Sequence, residues 1–204
     1  MKNWIKVATA AAVGVALSAS AASAAWEKVV IATEGAYPPF NYVDKDGKLQ
    51  GFDVDFAVKL CETAGIECEI VAQDWDGIIP GLLAKKYDAI IAQMSITEER
   101  KRSIDFTNYY STTPAVFVGK EGMSVETWKD GAVVEDALDG LVIGVQRSTT
   151  HSAFLEDNFP NAEIRMYDTQ DNALLDLTAG RIDATLADSG VLVEWVKSDE
   201  GKGY

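Results

Sequence analysis

"GIIPGLLAKKYDAIIAQ", residues 77–93, and "NALLDLTAGRIDATLAD", residues 172–188, align without a gap. Asp88-Ala89 falls on Asp183-Ala184, Leu82 on Leu177, and Ala92 on Ala187. Each stretch reads as apolar residues at helical spacing, a tight turn, a short buried strand and then a polar residue. Convergence is one explanation of the echo, because helix–turn–strand units are common. On either explanation the chain holds two similar α/β units.

The alternation extends outward from both stretches. "KVVIAT" (Lys28–Thr33) is a β-branched strand. "DVDFAVKLCETAG" sets Phe56, Ala57, Leu60, Cys61 and Ala64 at helical spacing, with Gly65 as the stop. "ECEIVAQ" and "DAIIAQ" read as strands. Between them, "GIIPGLLAKK" reads as a helix whose Pro80 belongs in the first turn, where a missing N–H costs nothing. "PAVFVGK", "LVIGVQ", "THSAFLEDNF", "AEIRMYD", "DNALLDLTAG", "DATLAD" and "GVLVEWVK" continue the pattern. The expected class is α/β with largely parallel sheets. Residues 121–139 are polar and Gly-containing and read as a surface excursion without assigned structure.

At 204 residues, with 48% hydrophobic residues, one or two small domains with a packed core are expected. A formal net charge of −14 argues against a nucleic-acid partner, which needs a dense positive patch. "MKNWIK", then the small apolar run "VATAAAVGVALSASAASA", has the pattern of a cleaved secretory signal peptide over residues 1–25. A membrane anchor is the rival reading, but the run is short and Ala-rich. The mature chain is thus expected to be exported. Cys61 and Cys68, the only two cysteines, should pair in an oxidising compartment. With one histidine and no second cysteine pair, no metal site is expected, and no cofactor loop is present.

Ligands of open α/β sheets bind at the carboxyl ends of strands. Glu34, Gln93, "RSTT" (Arg147–Thr150) and Asp188 stand at four such ends, and two facing units would gather them into one cleft. In "MSITEERKRSIDFT", Met94–Thr107, Thr97 is a good N-cap with Glu98 and Glu99 in the first turn. Glu98, Glu99 and Asp105 account for Lys101 and Arg102 by helix-surface pairing. Arg100 has no acidic neighbour at that spacing, and with Ser95 it is free to meet a carboxylate. Tyr37, in the stiff "EGAYPPFNY" loop, and Trp75, between two aspartates, offer aromatic walls. Ser148, Thr149 and Thr150 exceed what a helix cap needs. His151 reads as a solvated first-turn residue.

Taken in order, "ATEGAYPPFNY", "GFDVDFAVKLC", "DWDGIIPGL", "KKYDAI", "MSITEERKRSIDFT", "GVQRSTT" and "LTAGRIDATLAD" resemble the periplasmic solute-binding proteins of ABC importers for amino acids. The likeness falls in the group for lysine, arginine, ornithine, histidine and opines, and covers essentially the whole mature chain. It implies the two-lobed type II periplasmic-binding fold, with lobe 1 over residues 26–114 and lobe 2 over 115–204. It implies a monomer that carries an amino acid or opine to a membrane permease, with no catalysis. Arg100, Ser95 and Thr150 with its neighbours would hold the α-carboxylate, Asp188 the α-ammonium, Tyr37 and Trp75 the side chain, and Glu34 a distal cation. Ala92-Gln93 stands where several cationic-amino-acid binders carry small hydroxyl residues, and Gln146 where an aliphatic residue is common; both, with Met94, are expected to line the pocket. Family members also run on after "SDEGKGY" to complete lobe 1, so a shortened lobe 1 is expected. A periplasmic cyclohexadienyl dehydratase, acting on prephenate or arogenate, shares the fold by resemblance and is the alternative, with Glu34 as its candidate general acid.

Overall fold

The structure, a computed structural model, describes residues 28–204, so the expected signal peptide lies outside the described residues. No helix among the described residues is long and apolar enough to cross a membrane. β1 (Lys28–Thr33) becomes fully buried toward its carboxyl end. β2 (Ala36–Tyr37), β3 (Asn41–Val43) and β4 (Leu49–Gln50) form a small antiparallel ladder. α1 (Phe52–Ala64) buries Asp53, Val54, Ala57 and Cys61 on one face, and stops where Gly65 turns left-handed at φ 69°. A Cys61–Cys68 disulfide ties the end of α1 to β5 (Glu67–Ala72). α2 (Trp75–Leu83), β6 (Ala89–Ile90) and α3 (Glu98–Lys101) follow.

Beyond residue 114 come β7 (Ala115–Gly119), β8 (Trp128–Lys129), β9 (Ala132–Val133) and β10 (Val142–Gln146). α4 (Thr150–Asn158), β11 (Glu163–Tyr167), α5 (Gln170–Thr178), β12 (Ala184–Asp188) and α6 (Ser189–Lys197) complete the described elements. Two main sheets result. One has the order β5-β1-β6, all parallel. The other has the order β11-β10-β12-β7, parallel except for β7.

The aligned stretches occupy equivalent places. In each sheet the first strand of the unit (β1 or β10) lies between the second (β5 or β11) and the third (β6 or β12). α2–β6 and α5–β12 are therefore the same step of the same topology. The matched aspartates repeat one local device. Asp88 Oδ2 accepts from Val30 N and Asp183 Oδ2 from Val142 N, both at 2.8 Å, while each aspartate's own N–H donates back to the same residue's carbonyl. The aspartate thus pins the start of the third strand against the central one. Ile31, Ala57, Cys61, Ile78 and Tyr87 centre the first pair of apolar clusters, and Ile143, Leu155, Phe159, Leu177 and Leu192 the second.

Three local expectations are corrected. Pro80 lies inside α2, because the helix starts at Trp75; the bond it cannot donate is the one toward Asp76. β6 spans two residues rather than all of "DAIIAQ", since the backbone at Gln93 turns to φ 50° and leaves the sheet. Within the unassigned 121–139 stretch, β8 and β9 pair as a hairpin around Asp130 and Gly131, both at positive φ. That Asp-Gly pair is a strong signal for a two-residue turn.

On α5, Leu177 is fully buried in the second core, whereas Leu175 is 63% exposed. Leu177→Ala is expected to cost about 2–5 kcal/mol in urea unfolding, and Leu175→Ala no more than about 0.5 kcal/mol.

Candidate ligand-binding site

The carboxyl ends of β1, β6, β10 and β12 converge on a narrow cleft whose cavity volume is about 20 Å³. Glu34, Tyr37, Trp75, Gln93, Ser95 and Arg100 line it from the first sheet's side. Gln146, Thr149, Thr150 and Asp188 line it from the second. Ala92 lines it as well, as expected beside Gln93, and His151 completes the wall from outside the expected set. Two expected residues are arranged otherwise. Met94 packs beside the Ala32–Ile78–Tyr87 cluster and faces an outer groove. Ser148 contributes its backbone carbonyl.

That carbonyl is a junction. Ser148 stands at φ 58°, an uncommon conformation outside glycine, and its oxygen accepts from Trp75 Nε1 at 3.1 Å and from Arg100 at 3.2 Å. A second Arg100 nitrogen donates to Ser95 O at 2.8 Å, and the guanidinium lies 5.4 Å from the Trp75 ring centroid. Burial lowers the Arg100 pKa from its ordinary value, with Glu99 opposing the shift. Thr97 caps α3 by accepting from Arg100 N, as expected. Lys101 pairs with Glu98 at 2.8 Å, also as expected. Arg102, expected to pair on the same helix, is instead the C-cap and forms no ion pair among the described residues; Glu98 is taken by Lys101, and α3 ends before Asp105.

Thr149 is consumed by capping. Its hydroxyl accepts from Ser152 N and donates to Gln146 O at 2.8 Å, and Ser152 completes a reciprocal capping box. Thr150 is the hydroxyl that reaches across, 3.4 Å from Ser95 Oγ. Gln93 borders the cleft, but its amide nitrogen donates to Asp53 Oδ1 at 2.7 Å. Asp53 also accepts from Asn41 and Tyr110, forming a buried polar brace behind the wall that sequence reasoning missed.

Two carboxylates face the cleft in opposite electrostatic states. Glu34 is 8% exposed, and its Oε1 accepts from Gln146 Nε2 at 2.5 Å. Burial pushes its pKa up to about 7, the Gln146 hydrogen bond opposes this, and Asp171, Asp74 and Asp76 add to the rise. Asp188 accepts from Tyr37 Oη at 2.9 Å and Thr113 Oγ1 at 2.8 Å, with His151 Nε2 at 3.6 Å. Burial raises its pKa, but His151, Thr113 and Tyr37 together outweigh burial and hold the carboxyl below its ordinary value. The cleft therefore presents a guanidinium, a firmly ionised carboxylate and a carboxyl poised near neutrality. Among the described residues, no cluster of His, Cys, Asp or Glu is arranged to hold a metal ion.

Residues 29–189 match the bacterial extracellular solute-binding proteins, family 3, and the chain belongs to that family. It is 46% identical over 184 residues to the L-arginine-binding protein of Pseudomonas aeruginosa, a match covering 89% of this chain and 69% of that protein. It is 43% identical to the octopine-binding periplasmic protein of Rhizobium meliloti, covering 85% of this chain and 65% of that one. An ancestral arginine-binding protein bound to arginine superposes with a TM-score of 0.78 at 32% identity, covering 88% of this chain and 77% of the other. The two-lobed periplasmic-binding fold class and a substrate-binding rather than catalytic role follow from this membership. The dehydratase alternative is the less supported reading.

Because the folded pKa of Glu34 lies above its unfolded value, protonated Glu34 stabilises the folded chain fully below about pH 4.5, and this is lost as pH rises through about 7. The contribution is on the order of 3 kcal/mol. Glu34→Gln should flatten the fall in unfolding free energy between these pH values, measured by urea titration.

Proposed function

We propose that this chain captures an amino acid with a polar or cationic side chain, or an opine, between two lobes, residues 26–114 and 115–204, and delivers it to an ABC importer permease. It acts in the periplasm, as a monomer. The observation that carries the reading is the charge pattern around one cleft: Arg100 from the first sheet's side, Asp188 from the second, and the buried Glu34 beyond them. This pattern complements an α-carboxylate, an α-ammonium and a distal cation. The relatives named above bind L-arginine and octopine, in both of which an α-carboxylate, a protonated α-nitrogen and a distal guanidinium match these three groups.

Each role has a physical basis. The Arg100 fork suits a carboxylate, and the Ser95 and Thr150 hydroxyls beside it supply further donors. Asp188 stays ionised and is braced by neutral donors, so it attracts a cation without rearranging. Tyr37 and Trp75 flank the route between the charged ends. At the far end, Glu34 exchanges the Gln146 amide for a cationic group, which favours the ionised carboxylate. Closure of the lobes over the ligand completes contacts that neither half supplies alone, so ligand shifts the population toward the closed form.

Isothermal calorimetry with L-arginine, L-lysine, L-histidine, L-glutamine and octopine tests the reading, alongside the mass of any ligand released by denaturation. Arg100→Ala is expected to weaken binding at least roughly a hundredfold, the loss of two charge-assisted hydrogen bonds. Lys101→Ala, on the adjacent solvated position, is expected to change affinity less than about twofold. Equal losses from the two changes, or no binding of any amino acid or opine, would defeat the assignment.

A further inference from the structure

His151 is the second residue of α4 and lines the cleft wall. Its side chain is only 15% exposed, and Nε2 stands 3.6 Å from Asp188 Oδ1. The other partners of Asp188, the Tyr37 and Thr113 hydroxyls, are neutral donors, so His151 alone can bring a positive charge to this carboxylate.

We propose that His151 and the ligand's α-ammonium compete for Asp188, so that capture of an α-amino ligand requires a neutral imidazole and expels its proton. The proposal rests on the reading of Asp188 as the ammonium acceptor. Two cations beside one carboxylate, where the His151 and Asp188 side chains are only 15% and 16% exposed, repel each other more strongly than at a free surface. The remaining charged and titratable groups facing His151 give the imidazolium little other support. Arg100, from α3, lines the same cleft and is a cation. Glu34, past the end of β1, is occupied by Gln146, and burial favours its neutral form. Tyr37, from β2, is held un-ionised by burial. The start of α4 itself disfavours a cation. Asp188 is thus the group that holds the charged imidazole, and an ammonium arriving there removes that support. By linkage, ligand expels the proton, and protons weaken the ligand.

The effect has a definite sign. Affinity for an α-amino ligand should fall as pH drops through the imidazole's range, approaching tenfold per pH unit at the limit. Glu34 titrates near pH 7 and adds its own dependence for a ligand with a distal cation, but not for one with a neutral side chain. L-Glutamine therefore isolates the His151 effect, and L-arginine shows both.

His151 is the only histidine in the chain, so in protein without an affinity tag its imidazole C2 proton gives one titration curve by NMR. Saturation with L-arginine or L-glutamine is expected to move that midpoint to lower pH by about one unit or more. In the ligand-free chain, Asp188→Asn should move it in the same direction. Calorimetry with L-glutamine in buffers of differing ionisation heat, at the midpoint that NMR gives for the imidazole of the free chain, should register proton release, which His151→Gln abolishes. An unmoved or raised midpoint on saturation, or the same proton release in His151→Gln, overturns the competition. Absence of binding at every pH overturns the ammonium-acceptor reading and this inference with it. That failure is distinguishable, because the Asp188→Asn curve still reports whether the imidazole and carboxylate are paired.

Discussion

The meeting of Glu34 and Gln146 is the contact around which the rest is arranged. Each lies at or just past the carboxyl end of the central strand of its sheet, where neighbouring strands leave to opposite sides. Such points are where open α/β sheets leave room for ligands. Here two of them face each other and are buried, so a carboxyl and an amide shut off from water must satisfy one another. Because β1 and β10 are each flanked by strands on both sides, fixing this pair also brings the ends of β6 and β12 to the same cleft.

The repeated aspartates extend this constraint backward into the sheets. Asp88 and Asp183 each bond the first residues of the central strand through both side chain and backbone. The start of the third strand is thereby fixed, and its end follows. Two identical devices in two sheets place Gln93 and Asp188 at comparable depths, yet their side chains do different work. Gln93 turns back to Asp53, while Asp188 stays in the cleft.

Periodicity and turn chemistry made most of the architecture legible, because helices and strands here carry strong local signals. The errors have local causes. A proline argues for a first turn only when the helix start is known, and α2 begins two residues before "GIIPGLL". The Asp130-Gly131 turn was legible but overlooked in a polar setting. Within the cleft, charged residues without local partners stood out, as Arg100 did. Residues whose importance comes from distant neighbours left no such mark. The Asn41–Asp53–Tyr110 brace joins positions up to 57 residues apart. His151 looks like an ordinary first-turn residue until Asp188, on another element, is brought beside it.

The carbonyl of Ser148 has a consequence for selectivity. It receives hydrogen bonds from Trp75 and Arg100, across the divide between the sheets. On the proposed reading, a ligand carboxylate at Arg100 would replace one oxygen acceptor with another instead of filling an unmet demand. The exchange is the same for every α-amino acid, since none differs at that end. On the same reading, choice among ligands would be left to the far end, where each side chain would have to improve on the amide of Gln146 as the partner of Glu34.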